Sequence, residues 1–129
     1  LLITHDLGVM AETCDRVAVM YAGSVVEMGP VRAVLKHPQH PYTQGLLRTI
    51  PNEAAPDEAL FSIAGTVPSL LQPTIACAFA PRCQYAEERC RREIPPRYLL
   101  EEDHHAACFL HADRPKVDFN DQLTMTKSQ

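Results

Sequence analysis

The chain has 129 residues, of which 46% are apolar, 6% aromatic and 22% charged, and its formal net charge is -4. These values are ordinary for globular domains, and no run reaches the roughly 18 apolar residues of a membrane-spanning helix. The mixed charges lack the basic surplus that is typical of proteins binding nucleic acid or anionic membranes. Composition therefore predicts one globular domain or two small units, with neither of those partners favoured.

The composition changes near Pro51. Four of the five Gly lie before this residue, whereas four of the five Cys lie after it. Residues 51–58 combine Pro, Asn, Ala and acidic residues, which is typical of a linker. The chain opens on Leu1 without a basic segment and cleavage site, so we expect no signal peptide and a chain cut from a longer protein.

The first half predicts a small α/β unit. Residues 1–4 are a short apolar run that indicates a buried strand, and Thr4 or Asp6 can cap a helix that follows. Residues 17–21 and 24–28 predict two strands joined as a hairpin.

Two further helices are expected to begin beside Pro30 and Pro41, since proline suits the first turn of a helix. Periodicity is weaker in the second half, where residues 61–67 predict one strand and residues 86–92 predict a short helical turn. The remainder is connection, so this half needs another source of stability.

Four cysteines are concentrated in the second half. They are separated by five, six and seventeen residues: Cys77, Cys83, Cys90 and Cys108. Disulfide bonds would require an oxidising compartment, and nothing in the sequence indicates export. Four unrelated thiols are a second interpretation, because free Cys is among the most buried residue types. We favour the third interpretation, a metal site with four thiolate ligands.

The spacing of these cysteines favours an iron–sulfur cluster over zinc. Structural zinc sites usually take ligands from C-x2-C to C-x4-C turns, and the gaps here are wider. A [4Fe-4S] cluster takes four Cys and presents four separate iron corners, so it accepts longer and unequal connections. Between the cysteines lie four arginines that either offset thiolate charge or form a solvated basic face: Arg82, Arg89, Arg91 and Arg92.

The other histidines of the second half surround the last cysteine: His104, His105 and His111. A mixed Cys/His zinc site is conceivable there, but exposed loop positions are favoured. No chemical role is predicted for His37 and His40 of the first half.

His5 stands where the first predicted strand gives way to a helix. Ligands of open α/β sheets bind outside the carboxyl ends of the strands. His5 is therefore a candidate for a hydrogen bond to a terminal phosphate, the alternative being a loop histidine with a structural hydrogen bond.

Several segments resemble the ATP-binding subunits of ABC transporters. Three segments together are similar to the switch-histidine loop and the strands that follow it: residues 2–9 (LITHDLGV), 15–23 (DRVAVMYAG) and 26–30 (VEMGP). Residues 37–47 (HPQHPYTQGLL) are similar to the segment that distinguishes the oligopeptide and dipeptide permease subunits. Similarity to the C-terminal extension of those permease subunits lies in residues 65–70 (GTVPSL), residues 77–86 (CAFAPRCQYA), Cys90 and Cys108.

This resemblance implies the C-terminal part of a P-loop ABC-type nucleotide-binding domain at residues 1–52. It implies an irregular Cys-rich extension with a metal site of four cysteines at residues 53–116, and we expect a disordered tail at residues 117–129. His5 would be the switch histidine that contacts the γ-phosphate of ATP across a dimer of nucleotide-binding domains. Cys77, Cys83, Cys90 and Cys108 would bind a [4Fe-4S] cluster, with zinc as the alternative.

The phosphate-binding G-x-x-x-x-G-K-[ST] loop, the ABC signature and the Mg²⁺-binding acidic strand do not occur in these residues. We therefore expect no ATP hydrolysis by the chain alone, and we expect ATP with Mg²⁺ to be bound in the full-length subunit.

The function that the resemblance implies is ATP-driven import of oligopeptides or dipeptides at the cytoplasmic face of the cell membrane. The implied partners are a second ATP-binding subunit, membrane permease subunits and, indirectly, a solute-binding protein. The alternative is a small cysteine-rich metal-binding interaction module that does not use ATP.

Overall fold

The computed structural model describes residues 1–50, 61–69, 71, 74–101 and 103–117. The predicted linker at residues 51–58 and all of the predicted disordered tail except its first residue lie outside these ranges. The elements in chain order are α1 (Leu7–Thr13), β1 (Arg16–Tyr21), β2 (Ser24–Pro30), α2 (Val31–Lys36), α3 (Pro41–Arg48), β3 (Arg97–Glu101), β4 (His104–Ala106) and β5 (Lys116–Val117). None of the helices in the described ranges combines the length and apolar character needed to cross a membrane.

The predicted elements of the first half are confirmed from α1 to α3. The Asp6 side chain caps α1, where Oδ1 accepts hydrogen bonds from the backbone N–H of Gly8 and Val9 at 2.9 and 3.1 Å. The turn of the β1–β2 hairpin has φ of 47° at Ala22 and 79° at Gly23. Two left-handed residues at this place match the twist of the strands and hold the hairpin closed.

Two predicted strands are wrong. Residues 1–4 form no strand, and Leu1 and Ile3 are exposed. Among the described residues no strand pairs with this run, so its backbone gains nothing from an extended ladder. Residues 61–69 form no strand either, because the Arg82 guanidinium binds the carbonyl oxygens of Ile63 and Ala64 at 2.7 and 2.8 Å in place of a neighbouring strand.

The five strands of the described ranges form one antiparallel sheet in the order β1-β2-β4-β3-β5. Strand β4 lies between β2 and β3, with Glu27 opposite Ala106 and Met28 opposite His105. The sheet therefore joins described strands of the first and second halves of the chain, and the second half is more regular than the sequence predicts. The coarse expectation of a mixed α/β fold is confirmed.

The core lies between the β1–β2 hairpin, α2 and the turn that follows Cys77. Residues of β1 alternate between exposed and buried, so that Val17, Val19 and Tyr21 face inward. Phe79 is 4% exposed, and its ring centroid lies 5.2 Å from that of Tyr21 in an edge-on arrangement. An aromatic side chain of the Cys-rich region thus completes the core of the first half.

Candidate functional site

The four cysteines of the second half line one pocket, together with apolar and aromatic side chains such as Phe79 and Phe109. All four are half-buried free thiols. The structure therefore brings together the residues that were predicted as metal ligands: Cys77, Cys83, Cys90 and Cys108.

Short turns place these cysteines. The 3-10 turn Ala80–Arg82 separates Cys77 from Cys83, and the turn Arg89–Arg91 contains Cys90. The backbone N–H of Cys77 donates to the carbonyl oxygen of Cys90 at 3.0 Å, which ties the two turns together. Loop-rich sequence can thus place several thiols in the wall of one pocket without regular secondary structure.

Burial makes three of these thiols less acidic. It raises the pKa of Cys77 and Cys83 and raises the pKa of Cys108 to about 11. Hydrogen bonds from backbone amides act in the opposite direction and lower the pKa of the same three thiols. The donors are Phe79 and Ala80 for Cys77, Tyr85 for Cys83 and Leu110 for Cys108.

Amide donors aimed at sulfur suit a bound thiolate, which needs hydrogen-bond donors and a nearby cation. A set of four cysteines in an apolar pocket matches the donor chemistry of an iron–sulfur cluster and also that of structural zinc. In the part of the chain that the structure describes, however, no group of three or more His, Cys, Asp or Glu side chains is arranged to hold a metal ion. The cluster therefore stays a prediction.

Three of the four arginines between the cysteines contact groups other than sulfur. Arg82 donates to backbone carbonyls, and the guanidinium of Arg89 lies 4.2 Å from the ring centroid of Phe109. Arg92 forms an exposed ion pair with Glu88. Of the two interpretations of these arginines, the described contacts fit a surface and packing role better than charge compensation.

The prediction that His104 and His105 are exposed loop residues is wrong. They are 2% and 5% exposed in β4, because this strand lies inside the sheet. His104 Nε2 donates to Glu27 Oε1 at 2.7 Å, and Glu27 is 1% exposed. His111 is half-buried, and its Nε2 donates to the carbonyl oxygen of Gln39 at 3.1 Å.

Glu27 is the residue that sequence reasoning missed. Its carboxylate also accepts the backbone N–H of Gln39 at 2.8 Å and of His40 at 2.9 Å. Burial by itself raises the pKa of Glu27, but the hydrogen bonds from His104 and these amides outweigh it and lower the pKa below its usual value. The available signal was an acidic residue on an otherwise apolar strand. The charged carboxylate joins β2, β4 and the loop before α3.

His40 also has a different place from the one expected. It is 2% exposed and caps α3, since its Nδ1 accepts the backbone N–H of Tyr42 at 3.0 Å. It also lines the pocket of the four cysteines. A neighbouring cavity of about 420 Å³ is lined in part by His40, Cys77 and Phe79, and it extends along the β1–β2 turn.

His5 is exposed, and within the described ranges its imidazole makes no hydrogen bond or ion pair. It lies between Thr4 and the capping Asp6, whose backbone N–H donates to Thr4 Oγ1 at 3.0 Å. The structure does not bring His5 together with the cysteines as one site. Its role at a nucleotide stays a prediction.

Comparison with known proteins identifies the family. Residues 26–90 match the family model described as oligopeptide/dipeptide transporter, C-terminal region. A Brucella ovis protein named for ATP binding in peptide import is 46% identical over an alignment of 114 residues, which covers 84% of this chain and 34% of that protein. The dipeptide transport ATP-binding protein of Escherichia coli is 44% identical over 87% of this chain and 34% of its own length. The oligopeptide transport ATP-binding protein of Bacillus subtilis is 45% identical over 92% of this chain and 34% of its own length.

This chain thus spans about a third of the length of the curated relatives it matches. The matched family segment includes most of β2, all of α2 and α3, and three of the four predicted cysteine ligands. The comparisons give no support to the alternative of a metal-binding module independent of ATP.

Proposed function

Because the chain belongs to the oligopeptide/dipeptide transporter C-terminal region family, we propose that it forms the C-terminal part of the ATP-binding subunit of an ABC importer for oligopeptides or dipeptides. The observation that carries this proposal is the family match over residues 26–90. The names of the relatives support it, since they combine ATP binding with dipeptide or oligopeptide transport. ATP and Mg²⁺ would be bound in the complete subunit.

The proposed arrangement follows the boundaries that the sequence suggests. Residues 1–52 belong to the nucleotide-binding domain and residues 53–116 form the extension. A second ATP-binding subunit completes the nucleotide site, membrane permease subunits bind the pair, and a solute-binding protein delivers the peptide. The subunit is then peripheral at the cytoplasmic face of the membrane.

Within this arrangement His5 is the switch histidine. Its exposed imidazole is available to a γ-phosphate, and a hydrogen bond there matters most when charge develops in the transition state. Loss of this donor should slow hydrolysis much more than it weakens ATP binding.

A chimera tests the proposal. This chain replaces the matching third of the Escherichia coli dipeptide transport ATP-binding protein, and dipeptide uptake is measured in cells that lack the natural subunit. We expect the chimera to restore uptake, and we expect His5→Ala to reduce ATP hydrolysis about 10²-fold while ATP binding is retained. The matched control is His37→Ala, another exposed histidine of the first half. A folded chimera that fails to restore uptake would contradict the assignment, and unchanged hydrolysis in His5→Ala would remove His5 from it.

The four cysteines are proposed to bind a [4Fe-4S] cluster. When bound, the cluster supplies four metal–sulfur links between segments that otherwise share few backbone hydrogen bonds, so we propose a structural clamp on the extension. The thiols, the apolar lining of the pocket and the amide donors to sulfur support this proposal.

Anaerobic purification tests the cluster. We expect a brown protein with broad absorbance near about 400 nm that contains iron and sulfide. Cys83→Ser should lose most of this absorbance. Cys14→Ser should keep it, because Cys14 lies at the end of α1 and not in the pocket. A colourless product that holds one zinc ion would overturn the assignment.

A further inference from the structure

Cys77 and Cys90 differ from the other pocket cysteines in that a backbone hydrogen bond joins them directly. The N–H of Cys77 donates to the carbonyl oxygen of Cys90 at 3.0 Å, and both residues line the same pocket. In the described ranges, no other two of the four cysteines share a backbone hydrogen bond. Both residues are half-buried free thiols, so a small reagent can reach them.

The hydrogen bond limits the distance between the two Cα atoms. Standard bond lengths place an amide nitrogen about 1.46 Å from its own Cα and a carbonyl oxygen about 2.4 Å from its own Cα. With 3.0 Å between nitrogen and oxygen, the Cα atoms of Cys77 and Cys90 are at most about 6.9 Å apart. Cysteines whose Cα atoms are more than about 7 Å apart cannot be joined without backbone movement. This pair is therefore within reach of a disulfide bond.

The surroundings hold both residues in place. The carbonyl oxygen of Cys77 accepts the N–H of Ala80 at 3.1 Å, and the N–H of Cys90 donates to the carbonyl oxygen of Glu87 at 3.1 Å. The space that the pocket leaves open is about 20 Å³, roughly enough for one water molecule. The two backbones are thus fixed beside each other, and rotation of the side chains is the movement that remains.

We propose that Cys77 and Cys90 form a reversible disulfide bond when the cluster-free chain meets hydrogen peroxide. One thiolate attacks a peroxide oxygen, the O–O bond breaks, hydroxide leaves and the sulfur becomes a sulfenic acid. The second thiol attacks this sulfur, the S–S bond forms and water leaves. Two thiols and one peroxide thus give one disulfide and two water molecules, and a dithiol reductant reverses the bond by exchange.

The disulfide is a redox-sensitive switch of the pocket. It consumes two of the four thiols, so the pocket cannot supply four thiolate ligands until the bond is reduced. Disulfides of reducing compartments are usually transient and redox-sensing, which agrees with a bond that forms only under oxidation. The inference does not rest on the proposed cluster, because the reaction belongs to the chain without it.

Peptide mapping of the full 129-residue chain tests the inference. The chain is reduced, stripped of metal with a chelator, treated with a small excess of hydrogen peroxide, and alkylated. Trypsin cleaves after Arg82, Arg89, Arg91 and Arg97, so the four cysteines lie on four different peptides. We expect residues 49–82 to be linked to residues 90–91 at least about tenfold more often than any other pair, because only this pair is held in range. Dithiothreitol should release the two peptides.

Three controls show whether the folded structure selects this pair. Cys83→Ser is the matched variant, because Cys83 lines the same pocket, and it should keep the linked peptides. Cys90→Ser should lose them. Peroxide treatment in urea should remove the tenfold preference, since the unfolded chain no longer holds Cys77 beside Cys90.

Mapping of the unmodified chain decides the inference even where a variant does not fold. A dominant link between any other two cysteines, or no link at all, would overturn it. The same mixture of links in native buffer and in urea would also overturn it. None of these results bears on the iron–sulfur proposal, which is decided separately by anaerobic purification.

Discussion

Glu27 connects three parts of the chain through a single carboxylate. It accepts hydrogen bonds from His104 in β4 and from the backbone of Gln39 and His40 before α3. Charge-assisted hydrogen bonds are the strong ones, and a buried carboxylate is stable only when its oxygens are satisfied in this way. The residue thereby positions His40, which lines the pocket of the four cysteines.

Glu27→Gln should reduce the free energy of unfolding by about 2 kcal/mol at pH 7, because an amide replaces a charged acceptor and presents an N–H to donors. The folded-state pKa of Glu27 lies below its usual value near 4.5. Its contribution is therefore fully present above the unfolded-state pKa and is lost as the pH falls through the folded-state pKa. Urea denaturation between pH 7 and pH 3 measures both effects.

The matched control for this prediction is Glu12→Gln, since Glu12 is exposed on α1. It should change neither the stability at pH 7 nor the slope of stability against pH. If the free energy of unfolding of Glu27→Gln falls with decreasing pH as steeply as that of the unmodified chain, the role assigned to Glu27 is contradicted.

At the level of elements, the contact of β2 with β4 depends on a small residue. A Cβ atom at Gly29 would lie 3.1 Å from His104 Cα, which is closer than side chains normally approach a backbone. The contact of α3 with Ile63 also depends on a small residue, since a Cβ at Gly45 would lie 3.1 Å from the Ile63 side chain. Both glycines allow the second region of the chain to pack closely against the first.

The aromatic ring of Phe79 also connects the second half of the chain to the first. Phe79→Ala should lower the free energy of unfolding by about 3–5 kcal/mol, because it leaves a cavity between β1, α3 and the turn after Cys77. We expect amide hydrogen exchange to accelerate in β1 and in residues 77–90 together. Phe61→Ala is the control, since its ring is 44% exposed and should cost little. Faster exchange confined to residues 77–90 would show that the ring does not couple the two regions.

On the scale of the whole molecule, the strand order β1-β2-β4-β3-β5 has a direct consequence. Among the described strands, β2 of the first half is an inner strand only because β4 of the second half pairs with it. An unpaired edge would leave backbone groups without partners and would invite wrong pairing. The described strands of the second half are thus built into the same sheet as the β1–β2 hairpin.

Local signals in the sequence were sufficient for the helices, the hairpin and the grouping of the cysteines. Asp6 as a cap, Pro41 at a helix start and the turn at Ala22 and Gly23 each act within a few residues, so their structural effect depends little on the rest of the chain. The family resemblance also follows from sequence alone, because it depends on the order of residue types and not on their contacts.

Tertiary structure alone decided the burial of His104 and His40, the role of Glu27 and the failure of residues 1–4 to form a strand. Glu27 and His104 are 77 residues apart, and no periodicity in either segment indicates that they meet. A strand also needs a hydrogen-bonding neighbour, and which segments become neighbours is determined by the packing of the whole sheet. Sequence determines local conformation through short-range sterics and capping, whereas the satisfaction of buried polar groups depends on contacts between distant residues.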